Sequence, residues 1–224
     1  MKRDKLLLIG ALTQFTLFIP ATIWAIRQKQ PRIEVAIARR MQQKQSPFSH
    51  GTVHVLNKIL CSSAALDILI FPMAGLLWKK HRQYDALLTL ATYWFSQLIK
   101  MGIKYAVRRP RPDPQLMRTT KPRNSKSFPS GDVASTVHFW GWLMTLMLGS
   151  KNISKPLKAL SVSIVALLTA FVGPARIYLG DHWTSDVLGG YLLGGGWLCL
   201  SLYTYRKWQA ADTSCVYPPI RRLQ

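Results

Sequence analysis

The sequence predicts an all-α membrane protein, a bundle of six transmembrane helices with an amphipathic helix lying in the interface after the first. Three observations predict it. Apolar runs of about 20 residues recur, each long enough to cross roughly 30 Å of hydrocarbon. Apolar residues make up 49 % of the 224, yet mean hydropathy is only +0.08, because Lys and Arg stand between the runs. Those 30 cations against nine acids leave a formal charge of +21, which points to an anionic partner: lipid headgroups, a phosphorylated substrate or nucleic acid.

The elements follow in order along one domain. Met1-Lys2-Arg3-Asp4-Lys5 precedes an apolar run over residues 6–26. A signal peptide has a shorter apolar region and a small-residue cleavage site, so this run is read as a retained span. Residues 27–51 hold Arg27, Lys29, Arg32, Arg39, Arg40 and Lys44, with Ile33, Ile37 and Met41 at helical spacing. That pattern fits an amphipathic helix in the interface or a solvated basic loop. Five further spans are expected near residues 55–78, 84–103, 130–148, 156–172 and 185–205. The long connection at 108–128 carries seven basic residues, one acid and Pro110, Pro112, Pro114 and Pro122, a composition that excludes a helix. Cysteine is uninformative. Cys61 and Cys199 sit in apolar runs where thiols pack, and with Cys215 they give neither zinc spacing nor a disulfide framework.

Six spans place both termini on one side and make residues 104–130 and 176–186 share the other face. Thirteen cations cluster at helix ends on the terminal side, including Lys79, Lys80, Lys151, Arg206, Arg221 and Arg222. The positive-inside rule makes that side cytoplasmic, once the loop cations opposite are set aside as phosphate ligands. The shared face is then extracytoplasmic.

Three clusters lie on this face. Lys104, Arg111 and Arg176 offer cations from separate chain regions, and guanidinium groups match phosphate oxygens in bidentate fashion. Ser130 and Gly131 open a helix, whose first N–H groups form an anion site. His182 and Asp186 are four apart; a carboxylate that accepts from one imidazole nitrogen leaves the other free to attack phosphorus. Singly, each has a plainer explanation: interfacial cations, an ordinary helix start, a structural His–Asp bond. Together, and in this order, they indicate phosphoryl chemistry. Nucleic-acid binding explains the charge but not the His–Asp pair, so the partners expected are a lipid phosphate and the bilayer, and no nucleic acid.

Lys104-x6-Arg111-Pro112, Pro129-Ser130-Gly131 and Arg176-x5-His182-x3-Asp186 together resemble the tripartite signature of the type 2 phosphatidic acid phosphatases, also called lipid phosphate phosphatases. The resemblance covers roughly residues 84–205. It implies a six-helix membrane fold and a phosphatase without metal or other cofactor. It also implies that His182 is the nucleophile forming a phosphohistidine, that Asp186 orients it, and that Lys104, Arg111, Ser130, Gly131 and Arg176 bind the phosphate.

Two positions depart from the pattern. Ala175 stands where the family usually has Ser, which removes one hydrogen bond. Asp132 stands where the second motif normally ends in His, the general acid that protonates the leaving oxygen. An Asp at its ordinary pKa of roughly 3.9 donates no proton near neutrality. Three outcomes are open. Burial and the bound phosphate turn Asp132 into an acid; or the leaving group needs none, as when a lipid diphosphate such as a polyprenyl diphosphate releases a lipid monophosphate; or turnover is impaired, leaving a lipid-phosphate-binding homologue. Phosphotransfer to an acceptor other than water is a further alternative.

Other polar residues within the runs have humbler expectations. Asp67 and Lys100 are expected to pair, unless Lys100 extends the phosphate site. His138 is expected to pack, Gly190 and Gly194 to permit close helix contact, and Trp183 and Tyr178 to mark the interface level.

Overall fold

The computed structural model describes residues 2–43, 45–120 and 125–214. Lys44, Pro122, Cys215, Arg221 and Arg222 lie outside the described residues. Helix α1 spans Lys2–Arg27, α2 Arg32–Gln42, α3 Pro47–Leu56, α4 Ser63–Lys79, α5 Gln83–Val107, α6 Gly131–Gly149, α7 Lys155–Tyr178 and α8 Thr184–Ser214. A π-helical turn, Asn57–Cys61, joins α3 to α4. Among the described residues there is no strand, only a bridge between Pro110 and Lys126.

Every apolar run became helix, and the differences have physical reasons. The second run begins earlier than expected, at Pro47, because Ser46 and Ser49 form a reciprocal capping box. It is then broken at Ser62, whose extended backbone ends the π turn and whose side chain caps α4 through Ala65 N. Helix α7 runs to Tyr178, so Arg176 lies in its last turn rather than beyond its end.

Among the described residues, four helical stretches are long and apolar enough to cross a membrane: Arg3–Arg27, Pro47–Lys79 (α3, the π turn and α4 together), Lys155–Tyr178 and Thr184–Ala210. Helices α5 and α6 fall short because they bury polar side chains against the rest of the bundle. Asp85, Thr89, Ser96 and Lys100 are buried on α5; Asp132, Ser135, Thr136 and His138 are buried on α6. Helix α6 is central, packing against α4, α5, α7 and α8, while α1 lies along α8. Outward positions such as Leu6, Ile68 and Leu167 carry apolar side chains.

Asp67 and Lys100 are not paired with each other. Asp67 Oδ1 accepts from Tyr93 Oη and Gln97 Nε2, both at 2.8 Å. Lys100 Nζ donates to Ser135 Oγ, so two neutral side chains separate the charges. His138 is buried between the rings of Tyr93 and Trp142, its Nε2 3.4 Å from Ser201 Oγ.

The contact of α6 with α8 requires glycine. A Cβ at Gly190 meets Ser130 O at 2.8 Å, and one at Gly194 meets Ala134 O at 2.7 Å. Both obstacles are backbone and cannot rotate away. Gly194→Ala therefore forces the helices apart, at an expected cost of about 1–3 kcal/mol. Thermal unfolding in detergent checks this; an unchanged midpoint contradicts the close packing.

Candidate active site

The connection after α5, the start of α6 and the turn between α7 and α8 meet at one end of the bundle. Backbone bonds fix their register: Ser130 N donates to Asp186 O at 2.9 Å, and Ser127 N to Arg109 O at 2.8 Å. All three sequence clusters are thereby brought together across separations of 18 to 77 residues.

His182 precedes the first turn of α8, and Asp186 lies within that turn. His182 Nδ1 is 3.5 Å from Asp186 Oδ2, and His182 Nε2 is 3.1 Å from Arg111 Nη1. Both side chains are buried. Asp186 is held from two further sides. Trp183 N donates to its Oδ2 at 3.0 Å, and Arg109 Nη1 to its Oδ1 at 2.7 Å. The imidazole thus has one nitrogen toward a fixed carboxylate and the other toward a guanidinium.

The remaining cations surround this point. Arg111 also donates to Asp181 O and to Ser125 Oγ; burial pushes its guanidinium below the ordinary value, while nearby Asp181 acts against the shift. Arg176 Nη2 lies 2.5 Å from Asp181 Oδ2 and 3.1 Å from Asp132 Oδ2. Lys104 Nζ donates to the carbonyls of Lys126, Ser127 and Pro129 at 2.9–3.4 Å. Gly131 closes the ring: a Cβ there lies 3.5 Å from Ser63 Oγ and 3.8 Å from Lys104 Cε. Ser130 Oγ and Arg176 Nε are buried without a hydrogen-bond partner among the described residues. Buried donors of this kind suit an anion that completes them.

Asp132 is seated as an acceptor. Its Oδ1 receives both Ser63 N and Ser63 Oγ at 2.9 Å, and its Oδ2 faces Arg176. It therefore anchors the first turn of α4 and holds a guanidinium.

Residues not singled out from the sequence include Ser63, Arg109, Asp181 and Glu34, whose Oε1 lies 3.4 Å from Arg109 Nη2. Arg109 was one of seven cations in a basic loop, and nothing in the sequence set it apart from its neighbour Arg108. Asp181 adjoins His182. Glu34 is the lone acid of residues 27–51, which was a usable signal. Trp183 needs correction. It is buried, with Nε1 donating to Pro110 O at 3.0 Å, so it is a packing residue of the site and not a marker of the interface.

The chain is similar to known phosphatases. Phosphatidylglycerophosphatase B of Bacillus subtilis is 25 % identical over 159 residues, covering 71 % of this chain and 76 % of that protein. Decaprenylphosphoryl-5-phosphoribose phosphatase of Mycobacterium tuberculosis is 29 % identical over 170 residues, covering 75 % and 88 %. A crystal structure of a transmembrane PAP2 type phosphatidylglycerolphosphate phosphatase from Bacillus subtilis superposes with a TM-score of 0.76 over 96 % of this chain and 99 % of that one, at 22 % identity; the two share a fold. With four helices fit to cross a membrane and homologues that are membrane lipid phosphatases, the chain is an integral membrane protein. A model of the PAP2 superfamily matches residues 85–210, from the start of α5 through α8, and the chain belongs to that superfamily.

Proposed function

We propose that this protein is a lipid phosphatase that hydrolyses a lipid phosphate or diphosphate through a phosphohistidine, with a lipid diphosphate such as a polyprenyl diphosphate preferred. The observation that carries the reading is His182, backed by Asp186 at Nδ1 and facing Arg111 at Nε2. Arg111, Arg176, Lys104, the Ser130 hydroxyl and the first amides of α6 neutralise the phosphoryl oxygens. His182 Nε2 forms a bond to phosphorus as the bond to the leaving oxygen breaks. Asp186 stabilises the imidazolium at Nδ1. Water then attacks the phosphohistidine, releasing inorganic phosphate and restoring His182. In this reading α5 and α6 also cross the bilayer, making six spans, and the site opens on the extracytoplasmic face.

The seat of Asp132 supports the substrate preference. Oδ1 faces two donors and Oδ2 a guanidinium, a seat that favours the carboxylate acting as an acceptor over a carboxylic acid that donates. An alkoxide leaves poorly without protonation, whereas a lipid monophosphate leaves as an anion whose second pKa is roughly 6. The test is phosphate release in mixed micelles without added metal. A polyprenyl diphosphate is expected to exceed phosphatidic acid in kcat/KM by about tenfold or more, within the range a general acid supplies. A higher value for the monoester overturns the preference. The same hold of Asp132 on Arg176 favours one second reading, a lipid-phosphate binder with impaired turnover; binding of the diphosphate with no release from acid to neutral pH would select it.

A further inference from the structure

Glu34 is 4 % exposed on the inner face of α2, while Ile33 and Ile37 on the same helix remain exposed at 64 % and 38 %. A carboxylate is buried in this way only when it is paired and hydrogen-bonded. Its Oε1 accepts from Trp24 Nε1 at 2.9 Å and from Ser185 Oγ at 2.8 Å. Its Oε2 accepts from Ser185 N at 3.1 Å. Arg109 Nη2 lies 3.4 Å from Oε1.

Arg109 carries the line onward. Its Nη2 donates to Gln28 O at 2.8 Å, and its Nη1 to Ser185 Oγ at 2.6 Å and Asp186 Oδ1 at 2.7 Å. Asp186 in turn faces His182. A continuous buried line therefore runs from the interfacial helix through Arg109 to the imidazole. The far end of α2 is tied to the same region: Gln42 Nε2 donates to Arg118 O and Tyr178 O, and Gln45 Nε2 to Tyr178 O.

We propose that α2 is a latch for the active site. Glu34 is its positioning residue: it fixes Arg109 and the first turn of α8, so that Asp186 holds His182 aligned while α2 is docked. The catalytic consequence rests on the phosphatase reading above; the latch itself does not. Helix α2 lies outside residues 85–210 matched to the superfamily.

The test uses Glu34→Gln in the full chain. Glutamine keeps the size and one acceptor but drops the charge that faces Arg109. With a lipid diphosphate in mixed micelles, kcat is expected to fall about tenfold, the scale of a small misplacement of reacting groups. KM should stay within about twofold, because in this reading neither Glu34 nor Arg109 touches the phosphate. Adding Glu34→Gln to Asp186→Asn should cost nothing beyond Asp186→Asn alone, since both act through one carboxylate. Multiplicative losses, or a rise in KM with kcat unchanged, overturn the latch. Should the glutamine variant not fold, Trp24→Phe, which deletes one donor to Glu34, should give the same kcat-only loss on a smaller scale; a loss confined to KM overturns the proposal. Hydrogen exchange supplies a readout independent of turnover. Amides of α2 and of residues 184–187 should exchange about tenfold faster in Glu34→Gln, and unchanged protection refutes the latch. If the wild-type protein releases no phosphate, the phosphatase reading fails while exchange still decides the latch.

Discussion

His182→Ala is expected to lower kcat for phosphate release by about 10⁴-fold or more, the scale seen when a covalent nucleophile is removed. The imidazole lies between the Asp186 carboxylate and the Arg111 guanidinium, where the proposed reaction needs its nucleophile. The substitution leaves the surrounding ion pairs in place. Arg109 still holds Asp186 at 2.7 Å, and Arg176 still holds Asp181 at 2.5 Å. The variant should therefore fold, elute as the wild type does, and bind a lipid diphosphate with near-normal affinity. Binding retained and turnover lost is the expected pair of results. Appreciable residual turnover, at a few per cent of wild type, would remove His182 as the nucleophile and assign the chemistry to another group.

The helices were legible in the sequence because hydrocarbon thickness sets their length, and composition alone reveals runs of that length. The convergence of residues 104–130 with 176–186 was expected from the parity of six spans, and the Ser130 N to Asp186 O bond brings the two stretches together. What the sequence concealed was burial that depends on distant partners. Glu34 stands out as the lone acid of a basic stretch, but its partners do not: it is buried because Arg109, 75 positions away, and Ser185, 151 positions away, complete its bonds. The Asp67–Lys100 pairing failed differently. Two charges in adjacent spans invite pairing, but Gln97 and Ser135 supply neutral partners at shorter reach. The break at Ser62 was hidden inside an apolar run, and it matters because it turns the first amide of α4 toward Asp132.

Asp132→His is expected to raise kcat/KM for phosphatidic acid by about 10²-fold, the lower range of a general acid's contribution, while changing turnover of a lipid diphosphate much less. The native Asp accepts from Ser63 and holds Arg176, so a histidine there must release both before it can protonate a leaving oxygen. Asp132→Asn separates the two consequences. Asparagine keeps an acceptor for Ser63 and frees Arg176, yet supplies no acid. If histidine accelerates the monoester and asparagine does not, the missing proton donor is what biases the native site toward diphosphates. If both accelerate it equally, the native carboxylate limits turnover by occupying Arg176, and the impaired-binder reading gains the support that the substrate argument loses. If neither does, Asp132 is bound to the architecture of α4 and α6, and the preference for a good leaving group must originate elsewhere in the cradle.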